Sequence, residues 1–422
     1  MRLRSLASVV ICLAGLLLGG GVQSAGFQLQ NQTGSGNGNA YAGAAAVADD
    51  AGTIFFNPAG MTLLPQGHSV ALAGTVLNRS VNLSDGSTSG LLPPPSLSNG
   101  KDGGGTVLVP AFYWSYAVNP ATRLGLGISP SFGNQTDYGF DFIGRYSGHY
   151  AKLRQINVNP SVAFALNPQW SFGFGIDYAQ NDTEFRQGSP LPSVLANNDV
   201  TVKGDDHAFG YNAGLLFRPQ PGTRLGLTYR SELRFRLEGT LDSTLTPTID
   251  NHVRARLTTP AQVSFALAQE LSDRLELLGD LSWTGWSSVN TLDVIDRSSG
   301  ALLNSLSYRF RDTWRVGIGM NYRYNDAWKW RAGVAWDQTP VRSATDRTMT
   351  LPDSNRTWLA FGARYAVDKD NSIDIGYAHV FFAGAPTERA VKSALGTTVQ
   401  TVSGTFDARA DLLSLQWNYH FR

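Results

Sequence analysis

Cysteine is almost missing from this chain: its 422 residues include a single thiol, Cys12. That thiol sits inside Leu6 to Gly21, the one run apolar enough to approach a membrane helix, so the rest of the chain has no disulfide, thiolate metal site or cysteine nucleophile to offer. Charge is scarce too, at 16% of residues, and it nearly cancels to a net +1, which leaves no field for nucleic acid to answer. A mean hydropathy of -0.16 is too polar for a bundle of membrane helices. Metal and catalytic patterns are missing as well. His149 and His379 have no second ligand at a supporting spacing. Ser147, in Arg145-Tyr146-Ser147-Gly148-His149, lacks the glycines that a nucleophile elbow needs on both sides. No enzyme, cofactor or metal is expected.

What is present points to sheet. Gly 45 and aromatic 11% are high, a profile that suits strands with a polar interior and an apolar exterior. At the start, Arg2 and Arg4 precede the apolar run and Val22-Gln23-Ser24-Ala25 follows it. This order reads as a signal peptide, residues 1–24, cleaved after Ser24. Residues 25–66 then show no alternation and are rich in Gly, Ala and Asn, and Asn57-Pro58-Ala59-Gly60-Met61 is a helix start with Asn57 as cap. A small plug of short helices is expected there.

From residue 67 to 422 the chain alternates apolar and polar residues in segments of about ten, the length that crosses a bilayer at a tilt. Trp170, Phe172, Phe174, Ile176 and Tyr178 make one such face, Leu225, Leu227, Tyr229, Leu233, Phe235 and Leu237 a second, and Trp314, Val316, Ile318, Met320, Tyr322 and Tyr324 a third. Alternation alone does not separate a soluble sandwich from a membrane barrel. Loop asymmetry does: tight connections such as Asn119-Pro120, Asn167-Pro168 and Asn325-Asp326 alternate with long polar stretches, as periplasmic turns and external loops do in bacterial barrels. Strands are expected near 68–79, 106–118, 123–133, 154–166, 170–181, 206–217, 223–238, 254–269, 273–295, 303–325, 328–338, 355–367, 371–383 and 405–421. That makes an all-β, antiparallel transmembrane barrel of about fourteen strands with both termini on the short-turn side.

Ala25-Gly26-Phe27-Gln28-Leu29, Asn39-Ala40-Tyr41-Ala42-Gly43, Ala48-Asp49-Asp50-Ala51-Gly52 and Asn57-Pro58-Ala59 resemble the N-terminal hatch of the FadL/TodX family. Gly144-Arg145-Tyr146, Ile156 to Ala163, Asp312 to Val316, Trp330 to Gly333 and Pro352 to Trp358 resemble it further along, so the similarity spans the chain after the signal. The resemblance implies a monomeric fourteen-stranded barrel in a Gram-negative outer membrane, closed by a hatch at 25–66, that carries long-chain fatty acids or other hydrophobic molecules. Aromatic hydrocarbons are the alternative cargo. A general porin or an outer-membrane lipid hydrolase fits the residues less well, and an adhesin role for the loops would be additional. Lipopolysaccharide and the barrel assembly machinery are the expected partners. The ending departs from the family's usual terminal aromatic, since Phe421 is followed by Arg422.

On this reading Asn57, Pro58 and Ala59 hold the hatch shut, although the same residues alone would be only a helix start. Pro110 and Pro130 each remove a ladder donor, and Gly127, Pro130 and Gly133 are candidates for a kink in the third strand. The resemblance implies a lateral opening there; the plain alternative is a strand that ends before Pro130. A fatty acid needs an apolar groove and a cation. Arg315, Arg323, Lys329 and Arg331 are inward-facing candidates for the cation, with the Ala25 amino terminus and Phe27 adding a charge and an apolar contact. The rival role for the arginines is pairing with carboxylates such as Asp280 or Glu232.

Overall fold

The computed structural model describes residues 26–189, 199–243, 252–392 and 396–422. The expected signal peptide and Ala25 lie outside the described residues. Alternation builds a wall that is apolar on the outside. Phe172, Phe174 and Ile176 are 46, 47 and 49% exposed, while Ser171 and Asp177 on the same strand are buried. A soluble sheet hides such a row; this one suits contact with lipid.

The first six strands are β1 (His68–Gly90), β2 (Gly105–Ala117), β3 (Thr122–Asp137), β4 (Tyr150–Ala165), β5 (Trp170–Gly188) and β6 (Asp199–Phe217). Four crossings follow, each in two pieces: β7 (Thr223–Arg230) with β8 (Leu233–Ser243), β9 (His252–Thr259) with β10 (Gln262–Glu270), β11 (Leu275–Thr284) with β12 (Thr291–Asp296), and β13 (Leu302–Ser307) with β14 (Thr313–Arg323). The last are β15 (Trp328–Asp337), β16 (Arg356–Ala366), the broken pair β17 (Asn371–Phe382) and β18 (Ala385–Lys392), and β19 (Thr398–Phe421). Five crossings being broken, the nineteen segments make a fourteen-strand barrel. It closes where β1 pairs antiparallel with β19, from His68↔Phe421 to Gly90↔Gln400. Closure leaves no free edges at this seam.

Every expected strand overlaps one of these crossings, but several run further on the long-loop side. Backbone pairing continues beyond the bilayer in polar hairpins, and polar alternation there cannot be told from loop by composition. Tight turns occupy the other end, where Phe421 stacks on His68 with ring centroids 4.6 Å apart.

One expected face is split. Leu227 and Tyr229 on β7 point outward, but Leu233, Phe235 and Leu237 on β8 are buried in the lumen, and Arg234 and Arg236 are exposed on the outer wall. The register against β6 explains it: Asn212↔Arg230 and Val200↔Ser243 differ by one residue, absorbed at Ser231-Glu232. One extra residue turns every later side chain to the other face. The neighbouring crossing flips in step at Pro260-Ala261, so that Phe265 and Leu267 face out while Val253 and Leu257 face in.

Prolines are accommodated locally. The ladder between β4 and β5 skips Asn159 and Pro160, and the Asn159 side-chain amide donates to Ile176 O at 3.0 Å, opposite the proline, in place of the donor its ring lacks. Pro110 pairs with Gly74 of β1 but lies where β2 has lost its neighbour on the β3 side. Pairing of β2 with β3 ends at Phe112↔Ile128, whereas β3 stays paired with β4 as far as Asp137↔Tyr150, with a bulge between Pro130 and Phe132. Above Phe112, β2 is therefore a local edge, a setting where a strand proline is harmless.

Candidate functional site

Residues 26–66 lie inside the lumen and carry three short helices, α1 (Gly34–Asn37), α2 (Ala44–Val47) and α3 (Thr53–Phe56), then a 3-10 turn, Pro58–Leu63. Asn57 caps that turn by accepting from Ala59 N at 3.0 Å. Its amide also donates to Ala45 O at 2.7 Å and to Leu215 O in the wall at 3.1 Å. One buried side chain thus fastens the hatch to itself and to β6. The wall meets it with glycine: a Cβ on Gly214 would strike Asn57 Oδ1, and one on Gly173 would strike the Pro58-Ala59 backbone. Inward glycines are the space the hatch occupies.

A second fastening is ionic. Asp49 contacts Lys329 at 3.0 Å and Arg331 at 3.2 Å, Arg331 reaches Asp374 at 2.9 Å, and Arg364 joins Asp374 at 2.9 Å and Asp50 at 3.3 Å. Burial by itself pushes the Asp49 carboxyl up, but Lys329, Arg364 and Arg331 together hold it well below the usual range. Arg315 binds Asp280 at 3.1 Å and also donates to Ala40 O. Three of the four expected cations are therefore occupied by acids, as the rival reading required, and two of those three by an acid of the hatch. Arg323 is exposed at the short-turn end of β14.

Above the hatch, next to the β3 kink, lies a close-packed apolar cluster, a chamber filled by its own side chains Phe27, Phe132, Leu153, Leu233, Phe235, Leu257, Trp286, Phe310 and Leu351. Trp286 is its floor plate: Phe27 meets it edge-on at 4.8 Å, Phe310 at 5.9 Å and Phe132 at 6.2 Å. Phe27, a candidate from the sequence, fills the chamber; Trp286, Phe132, Phe235 and Phe310 were not anticipated. Trp286 stands three residues after Trp283, an odd spacing that breaks strand alternation and was the available signal. Cations near the chamber were missed as well. Arg342 donates to Phe310 O at 3.1 Å and Arg311 to Thr339 O at 3.2 Å, and neither has a carboxylate partner among the described residues.

The chamber and the wall gap are joined by the N-terminal segment. Leu29 N donates to Ser131 O at 3.0 Å and Gly133 N to Phe27 O at 2.7 Å, so residues 27–29 lie as a stub of strand along the kink. Gln32 spans the gap: it accepts from Tyr113 OH on β2 at 3.0 Å and donates to Pro130 O on β3 at 2.7 Å and to Leu29 O at 3.0 Å. Gly127 packs on Tyr113 and Ile54. The structure thus brings Phe27, Pro130 and Gly133 together and leaves Arg315, Lys329 and Arg331 with the hatch. Gly26 N donates to Asp353 Oδ2 at 3.3 Å; burial raises that carboxyl and Arg356 opposes the rise. Lower down, the space between hatch and wall beside Tyr41, Phe56 and Arg230 is about 60 Å3. That is far below the roughly 300 Å3 of a small-molecule pocket, so the 26–66 segment packs closely against the wall there.

Known proteins fit this arrangement. The family model described as outer membrane protein transport protein (OMPP1/FadL/TodX) matches residues 15–421. A "Long-chain fatty acid transport protein" of Escherichia coli O6:H1 is 30% identical over 436 residues, 94% of this chain and 95% of that protein. Among solved structures, a Pseudomonas aeruginosa FadL homologue has a TM-score of 0.85 at 24% identity, covering 94% of this chain and 100% of the other. The Ralstonia pickettii toluene transporter TbuX has the same fold at a TM-score of 0.67 and 20% identity, with 93% and 99% covered. A barrel greasy outside and plugged within, matched by that family along nearly its whole length, places this chain in the OMPP1/FadL/TodX family of outer-membrane transport proteins.

Proposed function

We propose that the protein takes up long-chain fatty acids, or hydrophobic molecules of similar shape, by passive diffusion with a sideways exit through its wall. The observation that carries this reading is the packed apolar cluster around Trp286, with Phe27 and Phe132 in it, lying against the unpaired seam between β2 and β3. An acyl chain entering the chamber gains about 0.8 kcal/mol per buried methylene. It must displace Phe27, and Phe27 is bonded to Gly133 on the kink. Ligand entry and release of the N-terminal stub are then one event. With the stub gone, Gly127, Pro130 and Gly133 border an opening whose far side is bilayer. The cargo leaves without meeting water, and no covalent chemistry is required.

Arg342 and Arg311 supply the cation for a carboxylate in this scheme, because Lys329, Arg331 and Arg315 are held by acids. Asn57, Pro58 and Ala59 keep the lower lumen closed while cargo turns sideways. The named function of the E. coli relative supports a fatty acid; the toluene transporter shares only the fold. Direct binding of oleate against toluene to the purified barrel, with Trp286→Ala beside it, tests the reading. Oleate binding that Trp286→Ala abolishes is expected. Oleate binding unaffected by the loss of Trp286 refutes the site, and no uptake of either cargo by cells lacking their own transporter refutes the function.

A further inference from the structure

We infer that the outer wall carries a binding site for the phosphate groups of an outer-leaflet glycolipid, built on Arg236, Arg254 and Arg256. The site follows from the one-residue flip described above. On β5, β6 and β7 the outward rings Tyr178, Phe209, Tyr211 and Tyr229 form two neighbouring pairs, with Tyr178 and Phe209 5.3 Å apart and Tyr211 and Tyr229 5.7 Å apart. Such a girdle marks the upper limit of the hydrocarbon. His207 is the next outward residue beyond Phe209, and it shares a surface recess with Arg234 and Arg236 and with the carboxylates of Asp205, Asp206 and Glu238, of which Asp206 accepts from the Arg236 backbone N–H at 2.6 Å. The arginines therefore stand at the height of the headgroups, on the side of the long loops, which is the outer leaflet.

Arg236 and Arg256 keep charge that no ion pair among the described residues neutralises, while Arg254 faces Glu238 across the ladder. Glu232 is taken by Arg234 and Glu238 by Arg297, at 2.9 Å for the second pair. Arg236, Arg254 and Arg256 form no ion pair among the described residues, and all three are exposed. Arg236 and Arg256 are moreover direct partners across the ladder. Like charges in that position destabilise a sheet, so the pair makes sense with an anion between the two guanidiniums. Guanidinium forks fit phosphate oxygens two at a time, and lipid anchors the phosphate at this depth. The occupant is accordingly an acylated, phosphorylated sugar lipid. Its acyl chains lie along Phe209, Tyr229 and Phe265 while its phosphate bridges β8 and β9.

Native mass spectrometry of the full-length processed barrel in detergent tests this, with lipid A bisphosphate as probe and its dephosphorylated form as the control lipid. The wild type is expected to retain the bisphosphate and not the control, and Arg236→Gln with Arg256→Gln to weaken retention roughly tenfold, the loss of one forked phosphate contact. Arg236→Lys with Arg256→Lys restores part of the loss, and heat-dependent gel mobility checks that each variant is folded. Equal retention of both lipids, or no loss in the folded glutamine variant, overturns the site. Displacement of the lipid by an equal concentration of inorganic phosphate overturns its assignment to a lipid.

Discussion

Replacing Gln32 by alanine is expected to open the wall. The side chain makes three bonds, to Tyr113 OH at 3.0 Å, Pro130 O at 2.7 Å and Leu29 O at 3.0 Å, and it is fully buried. A net bond of this kind stabilises by about 1 kcal/mol, so its removal shifts the closed-open balance by about 3 kcal/mol, roughly a hundredfold in the open population. The barrel ladders do not pass through Gln32, so the variant still folds. The readout uses the near absence of thiols: with Cys12 in the segment expected to be cleaved, a cysteine placed at Ser129, which is 3% exposed and lies beside the kink, is the sole reactive group. Its labelling by a lipid-soluble maleimide in membranes follows the open population when opening is fast. Gln32→Ala is expected to raise that rate by about two orders of magnitude, and Tyr113→Phe, which removes one bond, by about fivefold. A Gln32→Ala barrel that labels no faster than its parent refutes the clasp and with it the sideways exit.

Other outcomes follow from the hatch. Asn57→Ala loses the cap and two buried bonds, about 2–3 kcal/mol, and is expected to raise ion conductance in planar bilayers from a closed baseline; unchanged conductance would show that the hatch holds without it. Gly214→Val forces a side chain into Asn57 and is expected to do the same, whereas valine at the exposed, uncrowded Gly384 is expected to be silent in that assay. Asp49 has its carboxyl held below the ordinary 3.8, so the ionic fastening is fully present above that value and is lost only as pH falls through the lower folded value. Conductance is therefore expected to stay at baseline from about pH 8 to about pH 5 and to rise only in stronger acid; a rise near neutrality would contradict the fastening.

The barrel was legible because lipid-facing rows leave a period of two in the sequence, and the tight turns carry Asn, Asp and Pro where the backbone needs them. Residues 26–66 stood apart as a stretch with no such period, and Asn57-Pro58 was legible as a helix start. The chamber was not. Its rings come from 27, 132, 235, 286 and 310, positions far apart that only closure of the barrel brings together. The partners of the inward arginines were out of reach for a related reason: inward orientation is visible in alternation, but whether an inward charge is free depends on which acid the 26–66 segment presents. Asp49 sits 280 residues from Lys329, and nothing local links them.

Ser231-Glu232 gives the count of residues a role as large as their chemistry. Since sidedness in a strand depends on odd and even positions, removing one residue there would push Arg234 and Arg236 into the cargo's path and expose Phe235 where sugar and phosphate should lie. The change would leave composition almost untouched. A hydropathy plot would not register it, and yet the inner and the outer face of β8 would be exchanged.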